Sequence, residues 1–462
     1  MKNALCLVIF LPGWLVAIGS TGFAERPNVI AIVTDDQGQW ACGAYGNPEI
    51  QTPNMDRLAR EGLLFRNAMT CTPVCSPSRA SYFSGKWPSE LGITDWISGD
   101  EAQEGVGLKP FIWPMLFQQA GYRTALIGKW HLGEQPQFHP TQKGFDEFFG
   151  FLGGGNRPMN PTLEVKGETQ ALKGPLPDLL VDSAMEFVSQ SREEPFLLCL
   201  HFRAPHLPYL PVPEEDRAPF ADLDPTIPDV AGSDAQQLKK WQKDYYASIH
   251  SVDRNIGRLL RHLDELDLTK NTLVLFTSDH GYNNGRHGVD TKGNGQWIAG
   301  GVRGPKRPNL WDTSLKVPMI VRWPGKTPAG TTTDFVFTNL DLFRTMASVA
   351  NLTVPEEAHI RGEDCSAVFR GEPGPARDTV FGMYDLHNGG LAYLRMIRTE
   401  RYKYVRHFRA RMMDELYDLR ADPEETRNLL NRQGQTRVQE LPSLKSQLHD
   451  WQLSIGDPLL KD

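Results

Sequence analysis

The sequence predicts an α/β protein: an α/β/α sandwich around a mostly parallel sheet, with a small C-terminal α+β subdomain built on an antiparallel sheet. Three observations predict it. Up to about residue 355, apolar runs of strand length, rich in β-branched residues, alternate with helical segments. Four of these runs end in polar residues of chemical potential, at the edge where open parallel sheets bind ligands. Beyond that point short runs follow one another, as in a meander.

In chain order, Lys2, the apolar stretch Leu5 to Ile18 and the small residues Gly22 and Ala24 read as a secretory leader cleaved after Ala24. The apolar stretch is short for a membrane span and carries Pro12 and Gly13. No later stretch is long and apolar enough to cross a bilayer, so the expected protein is exported, either periplasmic or secreted, with no membrane span. A first strand, Asn28 to Thr34, runs into Asp35 and Asp36. Helices follow at Pro53 to Glu61, stopped by Gly62, and at Trp113 to Ala120, stopped by Gly121. The strand Arg123 to Ile127 leads into Gly128-Lys129-Trp130-His131, and the strand Phe196 to Leu200 leads into His201 and Pro205-His206. A helix with apolar residues at helical spacing is expected from Tyr245 to Leu266, and the strand Thr272 to Thr277 ends in Ser278-Asp279-His280-Gly281.

Two stretches, 153–228 outside the Phe196 strand and 282–309, are rich in Pro and Gly or in Gly, Asn and basic residues. They read as irregular loops rimming a pocket. Trp87, Trp96, Trp297, Asn156, Arg157, Arg203, Arg286 and His287 are the rim candidates. Strands near Val380-Phe381, Ala392 to Arg398, Tyr402 to His407 and Glu415 to Leu419, then a helix from about Arg437 to Leu453, complete the chain. The expected units are thus 1–24, 25–355 and 356–462.

A net charge of −7 offers no field for nucleic acid or an anionic membrane surface. Removing the leader removes Cys6 and leaves Cys42, Cys71, Cys75, Cys199 and Cys365, an odd number for an oxidising compartment. One of them is therefore a candidate for chemistry.

Cys75-Ser-Pro-Ser-Arg79, with Ser84-Gly85 a few residues on, is the most informative segment. This Cys-x-Pro-x-Arg pattern resembles the signature of the type I sulfatases. Asp35-Asp36, Gly-Lys-Trp-His-Leu-Gly at 128–133, Ala-Pro-His at 204–206, Ser-Asp-His-Gly at 278–281 and Glu-Leu-Tyr-Asp-Leu at 415–419 match that family's motifs in order. The resemblance covers nearly all of the chain after the leader. It implies an alkaline phosphatase-like fold and hydrolysis of sulfate monoesters, with a sulfated glycan as the expected substrate. It also implies that a maturation enzyme oxidises Cys75 to formylglycine, whose hydrate is the nucleophile.

Further roles follow from the same resemblance. Asp35, Asp36, Asp279, His280 and the matured Cys75 would hold a divalent cation. Hard carboxylate oxygens suit Ca²⁺ best and Mg²⁺ second. His280 stands where the family commonly has Asn, and its nitrogen bears on which metal binds. Lys129 would bridge nucleophile and sulfate, Arg79 would hold the nucleophile's hydroxyls, and His206 would face the leaving oxygen. His131 would be the base that breaks down the covalent sulfate intermediate. A second sulfate-binding lysine is expected at Lys292, with Lys316 as the alternative. Two rivals stay open: a phosphate or phosphonate ester hydrolase, and a silent glycan-binding protein that is never matured.

Overall fold

A computed structural model describes residues 26–191, 194–298, 304–409, 413–431 and 433–460; the leader expected over 1–24 lies outside them. The main sheet has ten strands. In chain order they are β1 (Asn28–Asp35), β2 (Leu63–Met69), β3 (Arg123–Lys129), β4 (Glu147–Phe151) and β5 (Thr162–Val165). Then come β6 (Glu168–Ala171), β7 (Phe196–Pro205), β8 (Thr272–Ser278), β9 (Met319–Arg322) and β10 (Thr331–Thr338). The spatial order is β10-β2-β9-β8-β1-β7-β3-β4-β5-β6. The central run β8-β1-β7-β3-β4 is parallel throughout. β9 is antiparallel to both β2 and β8, and β5–β6 forms an antiparallel hairpin at one edge.

Helices cover both faces, which is why β1, β7 and β8 are buried along their whole length and read as unbroken apolar runs. The two-residue side-chain period divides each strand between two cores. Val29, Ala31 and Val33 pack with Trp113 and Phe117, whereas Ile30 and Ile32 pack with Ile249, Val252 and Ile256 of the long helix Ala235–Glu265.

The second sheet is a four-stranded antiparallel meander: β11 (Thr379–Leu386), β12 (Ala392–Thr399), β13 (Tyr402–His407) and β14 (Glu415–Asp418). Helix Leu441–Ser454 lies on it, with Trp451 stacked on Phe381 at 4.9 Å. Buried charges tie it to the preceding chain. Lys403 Nζ lies 2.5 Å from Asp312 and 2.6 Å from Glu425, and Arg307 lies 2.5 Å from Glu415.

Several expectations need correction. The stretch 153–228 is not irregular throughout, because it holds the β5–β6 hairpin and the helix Leu176–Gln190. Pro175 and Pro177 disguised that helix, although proline is tolerated at a first turn, and Leu180, Val181, Ala184, Phe187 and Val188 are buried at helical spacing. The long helix begins at Ala235 rather than Tyr245. Asp234 caps it by accepting from the Gln237 amide, and its first turns are too polar to show an apolar stripe. β2, β4, β9 and β10 were not anticipated; β9 has four residues and β10 opens on exposed threonines.

Burial alone would raise the Glu415 carboxyl, yet His407 and Arg307 hold its pKa down to about 2, against an ordinary value of 4.5. A depressed carboxyl stabilises the fold above its ordinary value, and that stability is lost as pH falls through the folded value. Glu415→Gln is therefore expected to cost about 3 kcal/mol at most near neutral pH. It should also flatten the loss of stability between pH 4.5 and 2. Denaturant midpoints measured along a pH series check this; equal acid slopes in the two proteins would contradict it.

Candidate active site

Because β8, β1, β7 and β3 are adjacent and parallel, their carboxyl ends converge. Asp35 ends β1 and Lys129 ends β3, while Asp279 follows β8 and His206 follows β7. The fifth component is the helix Cys75–Ser84, buried at every residue, with Cys75 at its first position. Ser78 Oγ donates to the Asp279 carbonyl, and Asn339 Nδ2 donates to the Ser78 carbonyl at 3.1 Å, so this helix is fixed against β8.

Cys75 differs from the other thiols in its surroundings. All five described cysteines are buried and free. Burial pushes Cys42 and Cys71 up to about 12 and raises Cys199 and Cys365 as well. Burial acts on Cys75 in the same direction, but the nearby Lys292, Lys129 and His131 outweigh it and hold the thiol well below its ordinary value. Lys292 Nζ lies 4.0 Å from Cys75 Sγ and 2.6 Å from Asp36 Oδ1, and Lys129 Nζ lies 2.5 Å from Asp35 Oδ2.

His131 Nε2 is 3.0 Å from the Ile97 carbonyl. A carbonyl only accepts, so the ring carries its proton at Nε2. In the neutral ring the lone pair would then sit at Nδ1, which is buried without another partner and faces Cys75. Asp36 and His131 both adopt left-handed backbone, at φ 70° and 60°, a strained conformation for these residues that is common at functional sites. Gly154 permits the chain to cross the His131 ring, since a Cβ there would come within 2.6 Å of it.

The carboxylates form the metal-ligating half of the site. One donor atom each from Asp35, Asp279 and His280 lie within 4.8 Å of one another, as do those of Asp35, Asp36 and His206. His280 Nε2 sits 3.3 Å from Asp36 Oδ1 and 3.5 Å from Asp279 Oδ1, and neither it nor Asp35 Oδ1 has a hydrogen-bond partner. Burial and the neighbouring Asp35 raise the Asp279 carboxyl despite His280 and Arg79. A buried carboxylate oxygen and a buried imidazole nitrogen without partners, set among three aspartates, fit a divalent cation.

Arg79 also reaches this half, with Nη2 buried without a hydrogen-bond partner 3.9 Å from Asp35 Oδ2. Its Nε donates to Asp279 Oδ2 at 3.0 Å, and its Nη1 lies 3.3 Å from the Lys129 carbonyl and 3.2 Å from His201 Nδ1. His201, which the sequence places just past the Phe196 strand and to which it assigns no role, lies inside β7. His206 is 27% exposed, so it borders the opening of the site, with Nε2 3.8 Å from Asp36 Oδ2. Of the two candidate lysines, Lys292 reaches the centre, whereas Lys316 pairs with Asp312 at 3.4 Å.

Most of the proposed rim side chains are occupied in packing. Trp87 is buried against Trp451, Arg286 lies 3.5 Å over Trp40, and His287 stacks on Trp311 at 4.1 Å. Arg203 is buried and donates to the Pro208 carbonyl at 2.9 Å, and Trp297 packs against a small core formed by Val289 and Trp311. Aromatic and cationic faces attract each other, so their presence on loops does not make them ligand contacts. Asn156 donates to the Thr162 carbonyl, and Arg157 is exposed. Trp96 is partly buried, and its carbonyl accepts from Asn388.

The chain is similar to several known proteins. Residues 27–352 match the sulfatase family model, and 306–454 match a model described as N-sulphoglucosamine sulphohydrolase, C-terminal. An N-acetylgalactosamine-6-sulfatase of Canis lupus familiaris is 29% identical over 375 residues, which are 75% of this chain and 66% of that protein's length. An N-acetylglucosamine-6-O-sulfatase of Bacteroides thetaiotaomicron is 28% identical over 502 residues, covering 90% of this chain and 85% of the relative. A solved structure described as a complex with its substrate D-glucosamine-2-N,6-O-disulfate superposes with a TM-score of 0.81. That structure is 25% identical and covers 95% of this chain and all of its own.

Proposed function

The chain belongs to the sulfatase family, and on that premise we propose that it hydrolyses sulfate monoesters of a sulfated carbohydrate. The observation that carries the reading is Cys75, the one depressed thiol among the described cysteines, set between Lys129, Lys292 and His131 beside a carboxylate cluster. The carbohydrate is supported by the relatives' names, which are those of sugar sulfatases.

When matured and loaded, the centre would have a hydrated aldehyde at position 75 as nucleophile and a divalent cation as Lewis acid on a sulfate oxygen. Asp35, Asp36, Asp279 and His280 would hold the cation together with residue 75. The aspartates favour Ca²⁺, with Mg²⁺ as the alternative, although the imidazole is a softer donor. Lys129 and Lys292 aim ammonium groups at the oxygens on which charge develops. His131, with Nδ1 free of other bonds, takes a proton at residue 75, and His206 faces the leaving oxygen. Arg79 keeps Asp279 and the Lys129 strand end in place. Residues 25–355 would form the catalytic unit and 356–462 the subdomain closing it. Export through the leader and a formylglycine-generating partner complete the proposal; among the described residues no helix is long and apolar enough to cross a membrane.

Parallel assays on an aryl sulfate and the corresponding aryl phosphate and phosphonate esters test the reaction class. Preference for the phosphorus esters would overturn the sulfatase reading. Lys292→Ala is expected to lower kcat/KM on the sulfate by about 10²–10³-fold, the cost of removing one charge-stabilising donor. Lys316→Ala should change it by less than about threefold. Steady-state kinetics of the two variants decide between the lysines, and the reverse ranking would move the assignment to Lys316.

A further inference from the structure

Asp95 is no part of the centre described above, yet it is buried and both of its oxygens are taken. Oδ1 accepts from the Trp96 amide and from the Tyr384 hydroxyl, each at 2.9 Å. Oδ2 accepts from the amides of His387 at 3.0 Å and Asn388 at 2.9 Å. Three of these donors belong to the C-terminal sheet, to the end of β11 and the turn after it. A carboxylate only accepts, which suits four convergent donors better than an amide of the same shape would.

The two residues after Asp95 are tied as well, and their partners lead into the catalytic cluster. The Trp96 carbonyl accepts from Asn388 Nδ2 at 2.8 Å. The Ile97 amide donates to Ser76 Oγ at 2.9 Å, and Ser76 is the residue after Cys75. The Ile97 carbonyl is the partner of His131 Nε2 at 3.0 Å. Ile97 thus links the start of the Cys75 helix to the ring proposed as base. Residues 95–97 lie in no helix or strand, so these contacts set their position, and Asp95 receives four of them. Tyr384 adds a second link, because it packs in the same buried cluster as Cys75.

We propose that Asp95 is a positioning residue for His131: by binding residues 95–97 to the C-terminal sheet it fixes the Ile97 carbonyl, and through it the orientation of the ring at residue 75. The proposal rests on the sulfatase reading, in which His131 takes the proton of the hydroxyl left on residue 75 after the ester is cleaved. The aldehyde C=O then re-forms, and the bond to sulfate breaks with its electron pair leaving on sulfate. A displaced ring slows that step more than the attack before it. A misplacement of about 1 Å costs on the order of 10²-fold.

Two measurements on Asp95→Ala test the proposal. The matured, metal-loaded variant acting on an aryl sulfate should lose about 10–10²-fold in kcat. KM should fall in step, so that kcat/KM stays within about threefold, and the aryl alcohol should appear in an initial burst. The ratio kcat/KM reads the enzyme up to cleavage of the ester, whereas kcat also reads the later release. A carboxylate that only supports the fold would give no such split. Asp95→Asn, which keeps one accepting oxygen, should fall between wild type and Asp95→Ala. The second readout needs no turnover. In protein carrying isotope-labelled histidine, the Nε2–H of His131, recognised by its loss in His131→Gln, should be protected from exchange with water in wild type. It should lose that protection in Asp95→Ala. Asn388→Ala removes the Trp96 contact from a partly exposed turn and repeats both measurements, with a smaller effect, should Asp95→Ala fold poorly.

An Nε2–H signal that stays protected in both variants overturns the proposal and leaves the sulfatase reading intact. A fall in kcat/KM equal to the fall in kcat has the same consequence. An enzyme with the aldehyde that hydrolyses no sulfate ester contradicts the sulfatase reading instead, and the Nε2–H signal then decides by itself whether Asp95 holds the ring.

Discussion

Replacing Cys75 with Ala is expected to remove sulfate ester hydrolysis by on the order of 10⁶-fold in kcat, the scale on which loss of a nucleophile is felt. The fold should survive. Cys75 is a small residue at the first position of its helix, and its two ammonium neighbours keep their carboxylates, Lys129 with Asp35 and Lys292 with Asp36. Loss of the sulfur itself should cost about 1 kcal/mol. Cys42→Ala and Cys199→Ala serve as controls, since burial raises both thiols and neither is near the cationic pair. Turnover of an aryl sulfate, measured with the thermal midpoint of each variant, checks the prediction. Activity within tenfold of wild type in Cys75→Ala would contradict it.

The second large effect belongs to Asp35. Burial would raise this carboxyl, but Lys129, His206, Arg79 and Lys292 keep it ionised with its pKa well below the ordinary value. Asp35→Asn leaves Lys129 Nζ, fully buried at 2.5 Å, facing a neutral amide. Breaking one partner of a buried pair costs about 3–5 kcal/mol. It also leaves one oxygen to serve both Lys129 and the cation, where Asp35 offers Oδ2 to the lysine and keeps Oδ1 without a partner. Activity should fall by at least about 10³-fold. Stability gives a readout independent of turnover. A chelator should lower the unfolding midpoint of wild type, with Ca²⁺ restoring it, because an ion at 1,000 times its Kd contributes about 4 kcal/mol. Asp35→Asn should start lower and respond little to chelator or Ca²⁺. A variant that keeps the full chelator response would place the cation elsewhere.

The site was more legible in the sequence than the fold around it, for a physical reason. Each site segment follows a central strand buried on both faces, so its apolar run is long and its end abrupt: Thr34 to Asp35, Ile127 to Lys129, Thr277 to Asp279. Peripheral elements lack that contrast. β6 is exposed at every residue, β9 is four residues long, and the helix Leu176–Gln190 opens among prolines. His201 and Asn339 stayed hidden for a different reason. His201 meets Arg79, and Asn339 meets Ser78 and the Cys71 amide, partners that only the folded chain brings together across 122, 261 and 268 residues of sequence. Several rim candidates are packed instead, because tryptophan and arginine on loops carry no mark that separates a ligand contact from a packed pair such as Arg286 on Trp40.

The claim that position 75 is the converted nucleophile is tested most directly by mass spectrometry of the tryptic peptide Asn67 to Arg79, from protein made in its own host. The account predicts an aldehyde at position 75, with Cys71 in the same peptide left as a thiol. An unmodified thiol at position 75, or a disulfide between Cys71 and Cys75, would contradict it and make a silent glycan-binding protein the better reading.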